Sequence, residues 1–165
     1  MRVLVISDTH IPAVADKLPS IIEKEAKMSD CCLHTGDFIS IEAFNELSSW
    51  VKIYGVLGNM DEIKLSGKVS YKQIIKLEQV KIAMIHGRGA PGGLIEYVNK
   101  EFAKNFSEID IFVFGHSHLP LNEERDSKIY FNPGSPTDKM FAPYNSYGIL
   151  DIEGKNIKRR IEKIG

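Results

Sequence analysis

The chain has 165 residues, 43% of them hydrophobic, and a formal net charge of -1. That supplies a buried core for one domain and excludes a disordered chain, and without net positive charge no dedicated nucleic-acid binding is expected. The two cysteines, Cys31 and Cys32, are neighbours in an apolar run. They exclude a disulfide scaffold and read as buried thiols in a reducing compartment.

RVLVIS (2–7) is an apolar, β-branched run that stops at polar residues and predicts a buried strand. DKLPSIIEKEAKM (16–28) carries apolar residues near helical spacing, with Asp16 as N-cap and Pro19 in the first turn. CCLH (31–34) predicts a second strand, SIEAFNELSS (40–49) a helix capped by Ser40, and VKIYGVL (51–57) a third strand. Alternation of this kind implies parallel strands joined by right-handed crossovers. The middle differs. KQIIKLE (72–78) and KIAMIH (81–86) are separated by a hairpin-like Gln79-Val80 pair. A glycine-rich stretch (87–93) precedes a helix over 94–106, and IFVFG (111–115) is another buried strand. Residues 121–132 and 147–164 alternate and turn at Asp126-Ser127 and Glu153-Gly154, as antiparallel strands do. Crossovers first and a meander last predict an α/β fold of two packed sheets with helices outside. No linker interrupts the chain, so residues 1–165 read as one domain.

The apolar run at the start is too short for a signal peptide, and no window reaches the roughly 20 apolar residues of a membrane span. A cytoplasmic protein without membrane contact is expected. A homodimer is left open, with no residue pointing to one.

Four of the five histidines fall just past predicted strands. Asp8-Thr9-His10 ends the first, Gly36-Asp37 the second, and Gly58-Asn59-Met60-Asp61 the third. His86-Gly87 and Gly115-His116-Ser117-His118 end two more. Each fragment alone is ordinary: a capped turn, a loop aspartate, a Gly-Asn turn. Together they form a mixed oxygen and imidazole set without cysteine, which suits Mn²⁺, Fe²⁺, Ni²⁺ or Zn²⁺. Seven candidates, Asp8, His10, Asp37, Asn59, His86, His116 and His118, exceed what one ion takes. His34 lies inside a strand and reads as a core or supporting histidine.

In this order the motifs resemble the calcineurin-like metallophosphoesterase superfamily. The short length, the G-N-x-D form and Asn132-Pro133-Gly134-Ser135 resemble its small YfcE-like phosphodiesterase family. The resemblance spans Asp8 to the C-terminal strands. It implies a four-layer αββα sandwich of two mixed sheets. It also implies two divalent metal ions, Mn²⁺ foremost, one held by Asp8, His10, Asp37 and His118. Asp37 (bridging), Asn59, His86 and His116 would hold the other. Two ions roughly 3.5–4 Å apart can lower the pKa of a shared water towards about 7, and the hydroxide then attacks phosphorus in a small phosphodiester substrate.

Many members of the superfamily place a histidine directly after the motif asparagine. Here that position is Met60, which donates no proton. Asp61 is expected to orient a water or hold a ligand in place, and Arg88 to clamp a phosphate oxygen or stand solvated. Aryl phosphodiesters are therefore the expected better substrates. The chain also resembles the small retromer subunit, a protein scaffold of the same architecture. That scaffold's site is degraded at the position matching Asp37, which is intact here. A phosphomonoesterase is a weaker alternative, because the chain has few insertions from which to build a cleft.

Overall fold

Val3 and Val5 point to one side of the first strand and Leu4 and Ile6 to the other, and all four are fully buried. A strand buried on both faces belongs inside a layered structure. The structure, a computed structural model, describes residues 1–165. It contains strands β1 (Arg2–Ile6), β2 (Cys31–His34), β3 (Ile53–Gly55), β4 (Lys72–Leu77) and β5 (Val80–Ile85). After these come β6 (Ile111–Val113), β7 (Leu121–Arg125), β8 (Lys128–Asn132), β9 (Ser146–Glu153) and β10 (Asn156–Lys163). Three α-helices accompany them: α1 (Ser20–Lys27), α2 (Ile41–Trp50) and α3 (Leu94–Glu101).

The strands form two five-stranded sheets, in the orders β10-β9-β1-β2-β3 and β4-β5-β6-β8-β7. Each has a parallel trio, β1-β2-β3 in the first and β5-β6-β8 in the second. Antiparallel strands flank both trios, so both sheets are mixed. Between the sheets lies a core including Val3, Val5, Leu33, Ile82, Met84, Val113 and Phe131. Leu4, Ile6 and Cys32 face the other way, against Ile22, Ala26, Ala43 and Leu47 of α1 and α2. Ala83, Ile85 and Phe112 pack outward on Leu94 and Val98 of α3. The result is the expected αββα sandwich. Burying each such Val, Leu or Ile side chain contributes roughly 1.5–3 kcal/mol.

Local differences have local causes. Helix α1 starts at Ser20, with Pro19 as its N-cap at φ -55°, ψ 141°, rather than at Asp16. The residue before a proline is pushed out of the helical region, which delays the helix. Helix α2 follows Ser40 as expected, with the Ser40 hydroxyl accepting the Ala43 N–H at 3.2 Å. The helix expected over 94–106 ends at Glu101, and the chain tightens into a 3₁₀ turn over Ala103–Glu108. The β4–β5 hairpin turns at Glu78-Gln79, because Leu77 pairs with Val80. Likewise Glu153 pairs with Asn156, so Gly154-Lys155 makes the last turn.

Candidate metal centre

All six parallel strands point their carboxyl ends to one end of the sandwich, where ligands bind in such sheets. The segments leaving β1, β2 and β3 carry Asp8, His10, Asp37 and Asn59, and those leaving β5 and β6 carry His86, His116 and His118. The segment after β8, Asn132 to Asp138, packs behind them. Ser135 Oγ donates to the Asp8 carbonyl at 2.7 Å, and Thr137 Oγ1 donates to the Thr9 carbonyl at 2.7 Å. Asp8, His10, Asp37, His116 and His118 all have positive φ, between 46° and 68°. That region costs a side-chain-bearing residue about 1–2 kcal/mol, and such strain gathers at functional sites.

The seven candidate ligands converge. Asp8 Oδ1 lies 3.4 Å from His118 Nε2, 4.0 Å from His10 Nε2 and 3.9 Å from His86 Nε2. Asp37 Oδ2 lies between His10 Nε2 (3.5 Å) and His86 Nε2 (3.4 Å), where a bridging carboxylate would sit. Asn59 Oδ1 is 3.1 Å from His86 Nε2 and 3.2 Å from His116 Nδ1. Two groups of donor atoms fall within 4.8 Å of one another, Asp8-His10-His118 and Asp8-Asp37-His86.

The donor chemistry fits cations. His86 Nδ1 donates to the Thr35 carbonyl at 2.7 Å, so its neutral form turns the Nε2 lone pair on Asp37 and Asn59. His118 Nδ1 donates to Asp138 Oδ2 at 2.5 Å, so its Nε2 lone pair faces Asp8 and lies 3.3 Å from His10 Nε2. Lone pairs facing one another in a buried pocket call for positive charge between them. Without a cation, a proton on the imidazole supplies that charge. Burial would depress His86, but Asp37 and Asp8 push it up to about 9. Burial opposes His118 too, yet Asp8 and Asp138 raise it to about 9. Asp37 stays below the usual carboxylate range because His86 and the Met60 N–H outweigh its burial.

Glycines allow the close approach. A Cβ on Gly58 would overlap Asp37 Oδ1. One on Gly115 would overlap Ser7 Oγ and lie 2.7 Å from Asp8 Oδ2. The pocket above these groups holds about 350 Å³, with Met60, Pro91 and Phe141 around it. A larger cleft of about 820 Å³, along Met1, Arg2 and Asp151, has no comparable donor set.

Three further residues stand around the donors. The Asp61 carboxylate accepts the N–H groups of Asp37 (3.1 Å), Ile39 (2.8 Å) and Gly58 (2.7 Å). It ties the β2 and β3 loops together and holds the backbone of Asp37 in place. Arg88 is exposed and absent from the pocket wall. Gly87 and Gly89, both at positive φ, turn the loop so that Gly89 reaches the pocket while the arginine does not. His34 is fully buried, accepts the Gly36 N–H at 3.2 Å, bonds Thr9 Oγ1 at 3.1 Å and stacks on Phe38. Burial, with the His86 charge nearby, holds it well below the usual imidazole range, as a structural residue.

Asp138 was not anticipated. Besides His118 it accepts the N–H groups of Met140, Phe141 and Ala142 at 2.8–3.1 Å, fixing the loop that carries Phe141 to the pocket. The usable signal was that a ligating imidazole needs an acceptor for its other nitrogen.

Known proteins resemble this chain in sequence and fold. A family model described as the calcineurin-like phosphoesterase superfamily domain matches residues 1–155. A probable metallophosphoesterase of Methanothermobacter thermautotrophicus is 30% identical over 100% of this chain and 94% of its own length. One from Methanocaldococcus jannaschii is 32% identical over 94% of this chain and 78% of its own. Among solved structures, Vps29 of Entamoeba histolytica complexed with Zn²⁺ superimposes with a TM-score of 0.79 at 24% identity. That match covers 99% of this chain and 98% of that one. Fold, strand-end donors and relatives agree: the chain belongs to the calcineurin-like phosphoesterase superfamily.

Proposed function

We propose that this chain is a dinuclear metal-dependent phosphodiesterase acting on small phosphodiesters in the cytoplasm. The observation that carries the reading is the convergence of Asp8, Asp37, Asn59 and four imidazoles in one open pocket. Two divalent cations, Mn²⁺ foremost with Ni²⁺, Fe²⁺ or Zn²⁺ as alternatives, would supply Lewis acidity and an activated water for in-line attack at phosphorus. Asp8, His10, Asp37 and His118 would hold one, and Asp37, Asn59, His86 and His116 the other.

The chain's own residues favour this chemistry over a protein nucleophile. Ser7 is fully buried, and the Ser117 hydroxyl oxygen is occupied by the Asn132 amide and the Leu119 N–H. Neither has a histidine base. No lysine or arginine lines the pocket to pair with the second charge of a monoester, which favours the singly charged diester. Met60 is 56% exposed at the pocket and donates no proton, so good leaving groups are preferred. A missing general acid costs about 10²–10⁴-fold. Met60→His should accordingly raise turnover of alkyl esters more than that of aryl esters.

Mn²⁺-loaded protein should hydrolyse bis(4-nitrophenyl) phosphate. Asp37→Asn should lower kcat/KM by at least about 10³-fold, in the range expected for losing a metal ligand and its charge. Activity that survives both this substitution and chelation overturns the reading.

A second reading, a protein-binding scaffold, draws on the exposed Met140 (82%) and Phe141 (70%) beside the pocket. Capture of one stoichiometric partner, with no hydrolysis by any metal-loaded sample, would decide for it.

A further inference from the structure

Beside the metal pocket runs a second depression of about 240 Å³, between the start of α3 and the loop into β7. The two share Pro91 and Ser117, so they adjoin. Its walls are Leu94, Ile95, Leu119 and Leu121. Its one charged residue, Arg125, is engaged by Glu123 Oε2 at 2.6 Å and 2.9 Å. Leu119 is 38% exposed at its lip, so apolar surface there stays in water until something covers it.

A phosphodiester has two arms, and only one leaves. We propose that this trough is the subsite for the retained arm, and that the arm is uncharged and aromatic or similarly apolar. The inference rests on the phosphodiesterase reading and adds the identity of the group that stays. Two features argue for it. The trough adjoins the reaction pocket at Ser117, and its one charged side chain, Arg125, is already paired with Glu123. Ser117 is also oriented: its oxygen accepts the Leu119 N–H at 3.2 Å and the Asn132 amide at 3.1 Å. The Asn132 amide is fixed in turn, donating to the Gly115 carbonyl and accepting the Gly134 N–H. With both lone pairs of Ser117 engaged, its own proton is left to donate at the junction, where the ester oxygen of a retained arm would lie.

Two substrates with the same leaving group test this: methyl 4-nitrophenyl phosphate and phenyl 4-nitrophenyl phosphate, with Mn²⁺-loaded protein. Apolar occupancy of one small subsite discriminates by about tenfold or more. KM should therefore be at least about tenfold lower for the phenyl ester, with kcat changed less. Leu119→Asp should erase the KM difference between the two esters. Equal KM values in the wild type overturn the subsite and leave the phosphodiesterase reading standing. If neither ester is hydrolysed, that reading falls by itself. The trough is then read by binding of diphenyl phosphate to Zn²⁺-loaded protein, followed on backbone amide resonances. Shifts at Ile95, Leu119 and Leu121 support the subsite, and shifts confined elsewhere overturn it.

Discussion

The two sheets bring different chemistry to the same end of the sandwich. The first delivers oxygens, from Asp8, Asp37 and Asn59, with the single imidazole of His10. The second delivers only imidazoles, from His86, His116 and His118. Contacts across the gap tie the sets together. The His116 N–H reaches both Asp8 carboxylate oxygens at 3.1–3.2 Å, and His86 donates to the Thr35 carbonyl. Neither sheet alone holds a complete donor set, so the centre is a property of sheet packing.

That difference can be broken most severely at Gly115. Gly115→Val would drive a side chain into Ser7 and Asp8 and wedge the sheets apart at the centre. Overpacking of this kind costs 1–3 kcal/mol or more. Activity should fall by at least about 10³-fold, as for losing the metal site outright, and calorimetry should detect no tight Mn²⁺ binding. Gly92→Ala, whose Cβ would meet nothing within 4 Å, is the matched control and should change neither. Next in size is the effect of metal itself. At about a thousandfold excess over Kd, Mn²⁺ should stabilise the wild type by about 4 kcal/mol, raising Tm by roughly 10 °C. The Gly115→Val protein should show no such rise. A wild-type Tm that ignores Mn²⁺ would mean that the donors do not act together.

Smaller effects separate the two sides. Asp61 clamps the oxygen-bearing loops, and Asp138 clamps His118 of the nitrogen-bearing side. Asp61→Ala leaves three backbone N–H groups without their acceptor, at a cost of about 2–4 kcal/mol. Asp138→Ala should weaken Mn²⁺ binding by about 10–100-fold, as loss of a carboxylate behind a ligating histidine does. Mn²⁺ calorimetry with thermal melts distinguishes the two, since Asp61→Ala should lower stability more than Asp138→Ala does.

The sequence made the strand ends legible because each apolar, β-branched run stops at Asp, Gly, Asn or His. The donors follow from those stops. What supports them was not legible, because it depends on loops folding back. Asp138 lies 20 residues beyond His118, and nothing local marks its contact. Asp61 stands two residues after Asn59, but its N–H partners are brought to it from the β2 and β3 loops. Arg88 stands two residues after His86, and the glycines on either side of it take positive φ, a backbone course the residue types leave open. Pro19 is plain in the sequence, and the structure places it at the N-cap rather than inside the first turn.

Cys31 and Cys32 sharpen the comparison most finely, because adjacent residues of a strand face opposite ways. Cys31 lies between the sheets and Cys32 beneath α1 and α2. Burial, with Asp30 adding its charge, pushes the Cys31 thiol up to about 11 from an ordinary value of about 9. The folded state therefore holds this proton more tightly than the unfolded chain does. Its contribution to stability is intact below about pH 9 and declines as pH rises towards about 11. Urea midpoints should fall across that window, and fall less in Cys31→Ala. At pH 8 in mild urea, alkylation read by mass spectrometry reports which layer opens: Cys32 the helices, Cys31 the sheets. Because the candidate centre spans both sheets, Mn²⁺ should slow Cys31 labelling more than Cys32 labelling. If Mn²⁺ slows both equally, the sheets do not open as a separate unit, and the cation holds the whole sandwich rather than its central seam.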